Sequence, residues 1–121
     1  MTLFPGDPAL RALCRVEDIP NGGSRGFPAV RAGVPGLFAV RRRGKIYVYV
    51  NRCPHLGIPL DWARDRFLTA GGARIICATH GAEFAIEDGV CLRGPCLGAG
   101  LEPVMMRVED GVLLVPQDAG L

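Results

Sequence analysis

Two short stretches of this 121-residue chain each pair a thiol with an imidazole. In CPHLG, Cys53 and His55 are separated by one residue, and in CATHGAEF, Cys77 and His80 are separated by two. Twenty-one residues intervene, from Leu56 to Ile76, and these are the chain's 2 histidines. If two loops presented one thiolate and one imidazole each to a common centre, two sulfurs and two nitrogens would converge. Three chemistries use such groups. Tetrahedral zinc accepts two sulfurs and two nitrogens, although its usual spacings place both cysteines in one knuckle and both histidines in another. A Cys-His nucleophilic pair needs one of each and an orienting residue, and leaves the second pair unexplained. A [2Fe-2S] cluster with two cysteines on one iron and two histidines on the other employs all four.

The elements flanking these stretches read as strands. ALRALCRVEDIP predicts a first strand near Arg11 to Val16, with Cys14 as a small buried hydrophobe. GLFAVRRRGKIYVYVN predicts a hairpin of Leu37 to Arg42 and Lys45 to Asn51 about Arg43-Gly44, with Ile46, Val48 and Val50 alternating against Tyr47 and Tyr49. Asp-Gly turns at 88–89 and 110–111 predict two more hairpins, EFAIEDGVCL and VMMRVEDGVLLV, in the second of which the methionines read as core and flank residues. Between the first hairpin and the second, DWARDRF predicts a helical turn anchored by Trp62 and Phe67, and ARIIC a short buried strand entering Cys77. The tail, PQDAGL, reads as frayed.

Composition supports one all-β domain. Gly 17 and Pro 10 are high for the length, as in chains that reverse direction often, and 49% hydrophobic content is enough for one core without disulfides. A net charge of +2 is too small to predict nucleic-acid binding, and the one basic run, Arg41, Arg42, Arg43 and Lys45, reads as a solvated hairpin tip, with docking to an acidic partner as the alternative. Pro5, Gly6 and Pro8 interrupt any leader helix, and no run reaches the ~20 apolar residues of a membrane span, so a cytoplasmic protein is expected. Five cysteines, an odd number, then read as ligands, core residues or reactive groups rather than a disulfide framework.

CPHLG, CATHGAEF and the tripeptide GPC at Gly94 to Cys96 together resemble the Rieske ferredoxins, small soluble electron carriers of bacterial oxygenase systems. The likeness covers most of the chain. It implies a Rieske fold, an antiparallel β-sandwich of short strands with an inserted cluster-binding subdomain, here one domain over 1–121 with the subdomain at about 52–97. It implies one [2Fe-2S] cluster per chain, with Cys53 and Cys77 on one iron and His55 and His80 on the other. Around it would lie Pro54, Leu56 and Gly57 of the first loop; Thr79, Gly81, Ala82 and Phe84 of the second; and Gly94, Pro95 and Cys96 of a third loop covering the cluster.

The implied role is one-electron transfer from a flavin reductase to a terminal oxygenase or other redox enzyme, with no small-molecule substrate and no catalysis by the chain alone. The histidine edge would be the electron gate, rimmed by Pro54, Leu56 and Pro95. The mononuclear iron of a terminal oxygenase would need two further histidines, absent from this sequence. Two ferric ions, two sulfides and two thiolates sum to zero charge, so the implied potential lies within roughly −150 to +300 mV. High-potential relatives add a disulfide and Ser and Tyr hydroxyls at positions where this chain has Ile58, Thr79, Ala82 and Phe84, which implies the lower end of that range. Cys91 and Cys96 flank LRGP closely enough to meet across a turn, as reduced thiols, a disulfide or a redox-responsive pair. The alternatives are a small subunit resembling those of nitrite reductases, or a structural zinc module.

Overall fold

The structure is a computed structural model that describes residues 9–29, 31, 33–54, 59–61, 63–77 and 81–120. Nine strands are defined among these: β1 (Leu10–Arg15), β2 (Ser24–Phe27), β3 (Leu37–Arg42), β4 (Lys45–Val50), β5 (Ile75–Ile76), β6 (Glu83–Phe84), β7 (Cys91–Arg93), β8 (Arg107–Glu109) and β9 (Val112–Pro116). A single 3-10 turn, Val16–Asp18, follows β1. The strands form three antiparallel three-stranded sheets, β1-β9-β8, β2-β3-β4 and β5-β6-β7, as the all-β expectation requires. No helix among the described residues is long and apolar enough to cross a membrane.

The middle sheet is buried on both faces. Side chains alternate along a strand, so Leu37 and Ala39 of β3 and Ile46, Val48 and Val50 of β4 enter a core shared with Ile19, Leu113 and Val115. Phe38, Val40 and Tyr49 point the other way, into a core with Phe67, Ile75, Phe84 and Ile86. This explains why four consecutive residues of β3 are buried, a pattern that ordinary one-sided alternation does not produce. The β3–β4 hairpin pairs Phe38 with Tyr49 and Arg42 with Lys45, and turns at Arg43 (φ 52°) and Gly44 (φ 77°), the left-handed pair of a type I′ turn. Asp110 (φ 51°) and Gly111 (φ 75°) make the same turn between β8 and β9. Phe67 stacks on Phe38 with centroids 4.4 Å apart, fulfilling its predicted anchoring. Cys14 is half-buried against the aliphatic core, and burial pushes its thiol up, against the lowering effect of Arg25 and with a smaller raising effect of Asp18.

Several expectations are corrected. DWARDRF forms a tight turn, with Arg66 N donating to the Ala63 carbonyl (2.9 Å) and Asp65 at φ 62°, in place of a helical turn; Trp62 lies outside the described residues. The segment is shaped from outside: Asp65 Oδ1 accepts from Gly26 N and the Asp65 carbonyl from Ser24 Oγ, both at 2.8 Å. Met105 is 80% exposed and Met106 is exposed as well, so neither is a core residue. The backbone preceding β8 has turned away to β4, where Val104 N donates to the Val48 carbonyl (2.9 Å). The tail is tied down, not frayed, through residue 120: Gln117 N donates to Ala9 O, Gln117 Nε2 to Leu10 O, and Arg11 Nη2 to Ala119 O at 2.7 Å. In the basic run Arg43 and Lys45 are exposed, while Arg41 and Arg42 donate to the Ile19 and Ala73 carbonyls.

Candidate metal centre

Cys53 and Cys77 are both fully buried, in the same apolar core on one face of the middle sheet. Each stands at the base of a loop. The first loop leaves β4 and is closed by Asn51, whose Oδ1 accepts from Leu60 N (2.8 Å) while Nδ2 donates to Asp61 Oδ1 (3.1 Å). Between these fixed ends the chain passes from buried Cys53 to exposed Pro54 in one step. The second loop continues the β5–β6 ladder: Ile75 pairs with Phe84, Ile76 with Glu83, and Cys77 N donates to the Ala82 carbonyl (2.8 Å). Strand alternation therefore puts Ile75, Cys77, Ala82 and Phe84 on one face, the buried one. Gly81, at φ 69°, closes the loop by donating to the Cys77 carbonyl (2.9 Å). His55, Leu56, Gly57 and Ile58 of the first loop, and Ala78, Thr79 and His80 of the second, lie outside the described residues.

The third loop lies directly on the second. Gly94 has φ 107°, and a Cβ there would stand 2.8 Å from Ala82 Cα. Only a glycine against a small residue permits this backbone approach. Pro95 is exposed and Cys96 buried. Cys91 N donates to Ala99 O (3.0 Å) and Ala99 N to Cys96 O (2.9 Å), a turn that brings Cys96 Sγ to 2.6 Å from Cys91 Sγ. The Cys91 thiol donates to the Arg93 carbonyl (3.4 Å). Burial pushes the Cys96 thiol up to about 12, helped by its hydrogen bond to Cys91 and the nearby Cys91 and Cys53 sulfurs.

Two residues that position this site escaped the sequence reading, Asn51 and Tyr49, whereas the meeting of Cys91 and Cys96 across their turn was expected from it. Tyr49 is buried, and its hydroxyl donates to the Ile86 carbonyl at 2.5 Å, pinning the turn between β6 and β7 to β4. Gly89 is its counterpart, since a Cβ there would meet the Tyr49 ring at 2.8 Å. The available signal was the Tyr49 face of β4, opposite the aliphatic face. Asn51 looks like an ordinary strand end.

Among the described residues no Asp, Glu, Lys, Arg, Asn, Gln, Ser or Thr is fully buried, and no three of His, Cys, Asp and Glu form a metal-binding group. The described part of the donor set is thus two thiols in apolar surroundings. That suits a soft, thiolate-bound centre better than a hydrated hard cation. Glu83, beside the second loop, faces Arg74 at 3.3 Å and Arg93 at 4.0 Å, so its carboxylate is already engaged by arginines.

The Rieske [2Fe-2S] domain family model matches residues 10–115. No curated protein sequence matches the chain. Among solved structures, one from the complex of reduced oxygenase and oxidised ferredoxin in carbazole 1,9a-dioxygenase is 23% identical, over 93% of this chain and 97% of that one, with a TM-score of 0.72. The Sphingomonas yanoikuyae B1 ferredoxin is 24% identical over 88% and 97%, with a TM-score of 0.67. The ferredoxin of carbazole 1,9a-dioxygenase from Nocardioides aromaticivorans IC177 is 20% identical over 89% and 97%, with a TM-score of 0.70. At such identities the likeness speaks for the fold, whereas the family match spans all nine strands but the last residue of β9. The chain belongs to the Rieske [2Fe-2S] domain family, whose domain binds a [2Fe-2S] cluster.

Proposed function

We propose that this chain is a one-electron carrier, a ferredoxin-type Rieske protein, in which Cys53 and Cys77 hold one iron and His55 and His80 the other. The observation that carries the reading is the placement of Cys53 and Cys77, fully buried at the bases of two adjacent loops in one apolar core. When bound, the cluster accepts and returns a single electron. The chain's own residues do the rest. Asn51, Gly81 and the Gly94–Ala82 approach fix the loops, and Phe84, Ile75 and Leu60 exclude water from the cysteine side. Pro54 and Pro95 are exposed beside it and would form an apolar rim for a partner.

The carrier would take electrons from a flavin reductase and pass them to a terminal oxygenase or similar redox enzyme, in the cytoplasm. The similar fold found in an oxygenase–ferredoxin complex supports an oxygenase as acceptor. The whole sequence would be one domain, with residues 52–97 as the cluster-binding part. The potential would sit low in the Rieske range of roughly −150 to +300 mV, since hydrogen bonds to cluster sulfur raise it. Ala82 and Phe84 offer no hydroxyl, and both are fully buried.

EPR of the dithionite-reduced protein tests the centre: a rhombic signal of low average g is expected, and a colourless protein containing zinc without iron would overturn it. His55→Cys is expected to lower the midpoint potential or lose the cluster, and an unchanged spectrum would refute the ligand set. A midpoint well into positive values would refute the low potential alone.

A further inference from the structure

Cys91 and Cys96 lie outside the four-residue ligand set, yet their Sγ atoms stand only 2.6 Å apart. That is roughly 0.5 Å beyond the ~2.05 Å of a disulfide bond and inside the separation at which non-bonded sulfurs rest. Backbone geometry builds the approach. Cys91 is held on β7 by its bond to Ala99, and Cys96 is folded back over it by a turn with Gly94 at φ 107° and Gly98 at φ 90°. Cys14 packs in the opposite core and cannot compete.

We propose that Cys91 and Cys96 are a dithiol–disulfide site, whose oxidation locks the third loop onto Ala82 of the second. The oxidant is a low-molecular-weight disulfide of the glutathione type. The Cys91–Cys96 bond forms as the oxidant's S–S bond breaks. Two electrons pass from the two cysteines to the oxidant, and the two thiol protons leave on the two small thiols released. Exchange proceeds through a mixed disulfide at one cysteine that the other resolves. Both thiols are buried, but the turn above Cys96 is not: Pro95 and 98–100 are exposed and Leu97 is 67% exposed. Local opening of this short turn presents Cys96 without unfolding a sheet. The site stands on this sulfur geometry and not on the ligand assignment, and thiol mapping and the cluster spectrum report the two separately.

The test uses anaerobically purified holoprotein, incubated with oxidised glutathione, then denatured, alkylated and peptide-mapped by mass. The expected product is an internal Cys91–Cys96 cross-link lighter by two hydrogen atoms, with Cys14, Cys53 and Cys77 alkylated and the visible spectrum of the folded sample retained. Tryptic cleavage after Arg93, whose side chain is 76% exposed, should slow several-fold on oxidation and recover with a phosphine reductant. Cys91→Ser, or Cys91→Ala if serine is not tolerated, should lose the oxidation-dependent slowing. Alkylation of both cysteines after oxidation, a persistent glutathione adduct, a cross-link to Cys53 or Cys77, or unchanged cleavage would each overturn the proposal.

Discussion

On one face of the middle sheet Ile19, Leu37, Ala39, Ile46, Val48, Val50, Leu113 and Val115 make an aliphatic core, closed by the β1-β9-β8 sheet. On the other, four aromatic rings, Phe38, Tyr49, Phe67 and Phe84, share the interior with the sulfurs of Cys53, Cys77, Cys91 and Cys96. β1 and β9 run for six and five residues, whereas β5, β6 and β7 have only two or three. Strands that short have little ladder of their own. The sulfur-bearing side is instead held by hydrogen bonds at loop bases, a tyrosine hydroxyl and one glycine contact. The aliphatic side owes its order to secondary structure, and the other side to particular residues.

Removing a proposed ligand should separate the two sides most sharply. Cys53→Ser is expected to abolish visible absorption, and in hydrogen exchange to strip protection from β5–β7 while β1 and β9 remain protected. Equal loss on both sides would break the distinction. Next, Phe67→Ala should cost about 3–5 kcal/mol and Leu113→Ala about 2–5 kcal/mol in denaturant titrations. The first alone should alter the visible circular dichroism. Gly94→Ala, strained in backbone and pressed on Ala82, should cost about 1–3 kcal/mol. Gly44→Ala, also at positive φ but in open space, should cost nearer 1 kcal/mol.

The smallest expected effect is that of Tyr49→Phe, about 1 kcal/mol at neutral pH for the lost bond to Ile86. Its pH dependence is more telling. Burial, aided by the charges of Asp88 and Glu87, raises the Tyr49 phenol above its ordinary 10.0. Above that pH the unfolded chain ionises while the folded one holds its proton, so stability falls as pH rises. The phenylalanine variant should lack this share of the alkaline slope, which sets in at pH ~10 and is read from urea midpoints above that pH.

Where local chemistry dictates conformation, the sequence was easy to read. Arg43-Gly44 and Asp110-Gly111 turn as written, and β4 alternates between its two tyrosines and its aliphatic face, because left-handed turns and pleats are decided within a few residues. The two cysteine-bearing loops were also legible by type and spacing. Contacts between distant segments were not. Gln117 is tied to Ala9 and Leu10 across the whole chain, Asp65 is held by Ser24 and Gly26, and Met105 is exposed because Val104 pairs with Val48. Ala82 shows the limit well. From sequence it signified a missing hydroxyl; in the fold it is also the surface on which Gly94 rests.

The two-faced middle sheet carries a consequence for how such a chain can vary. Along Leu37–Val40 and Ile46–Val50 each residue belongs to one core by its parity, Leu37 and Ala39 to one and Phe38 and Val40 to the other. Inserting or deleting one residue inside either strand exchanges the two sets, driving aromatic rings into the aliphatic side and aliphatic side chains against the sulfurs. The loops can lengthen and individual core residues can be swapped for others of similar bulk. The odd–even count along 37–50 is the part of the text that tolerates no frameshift in meaning.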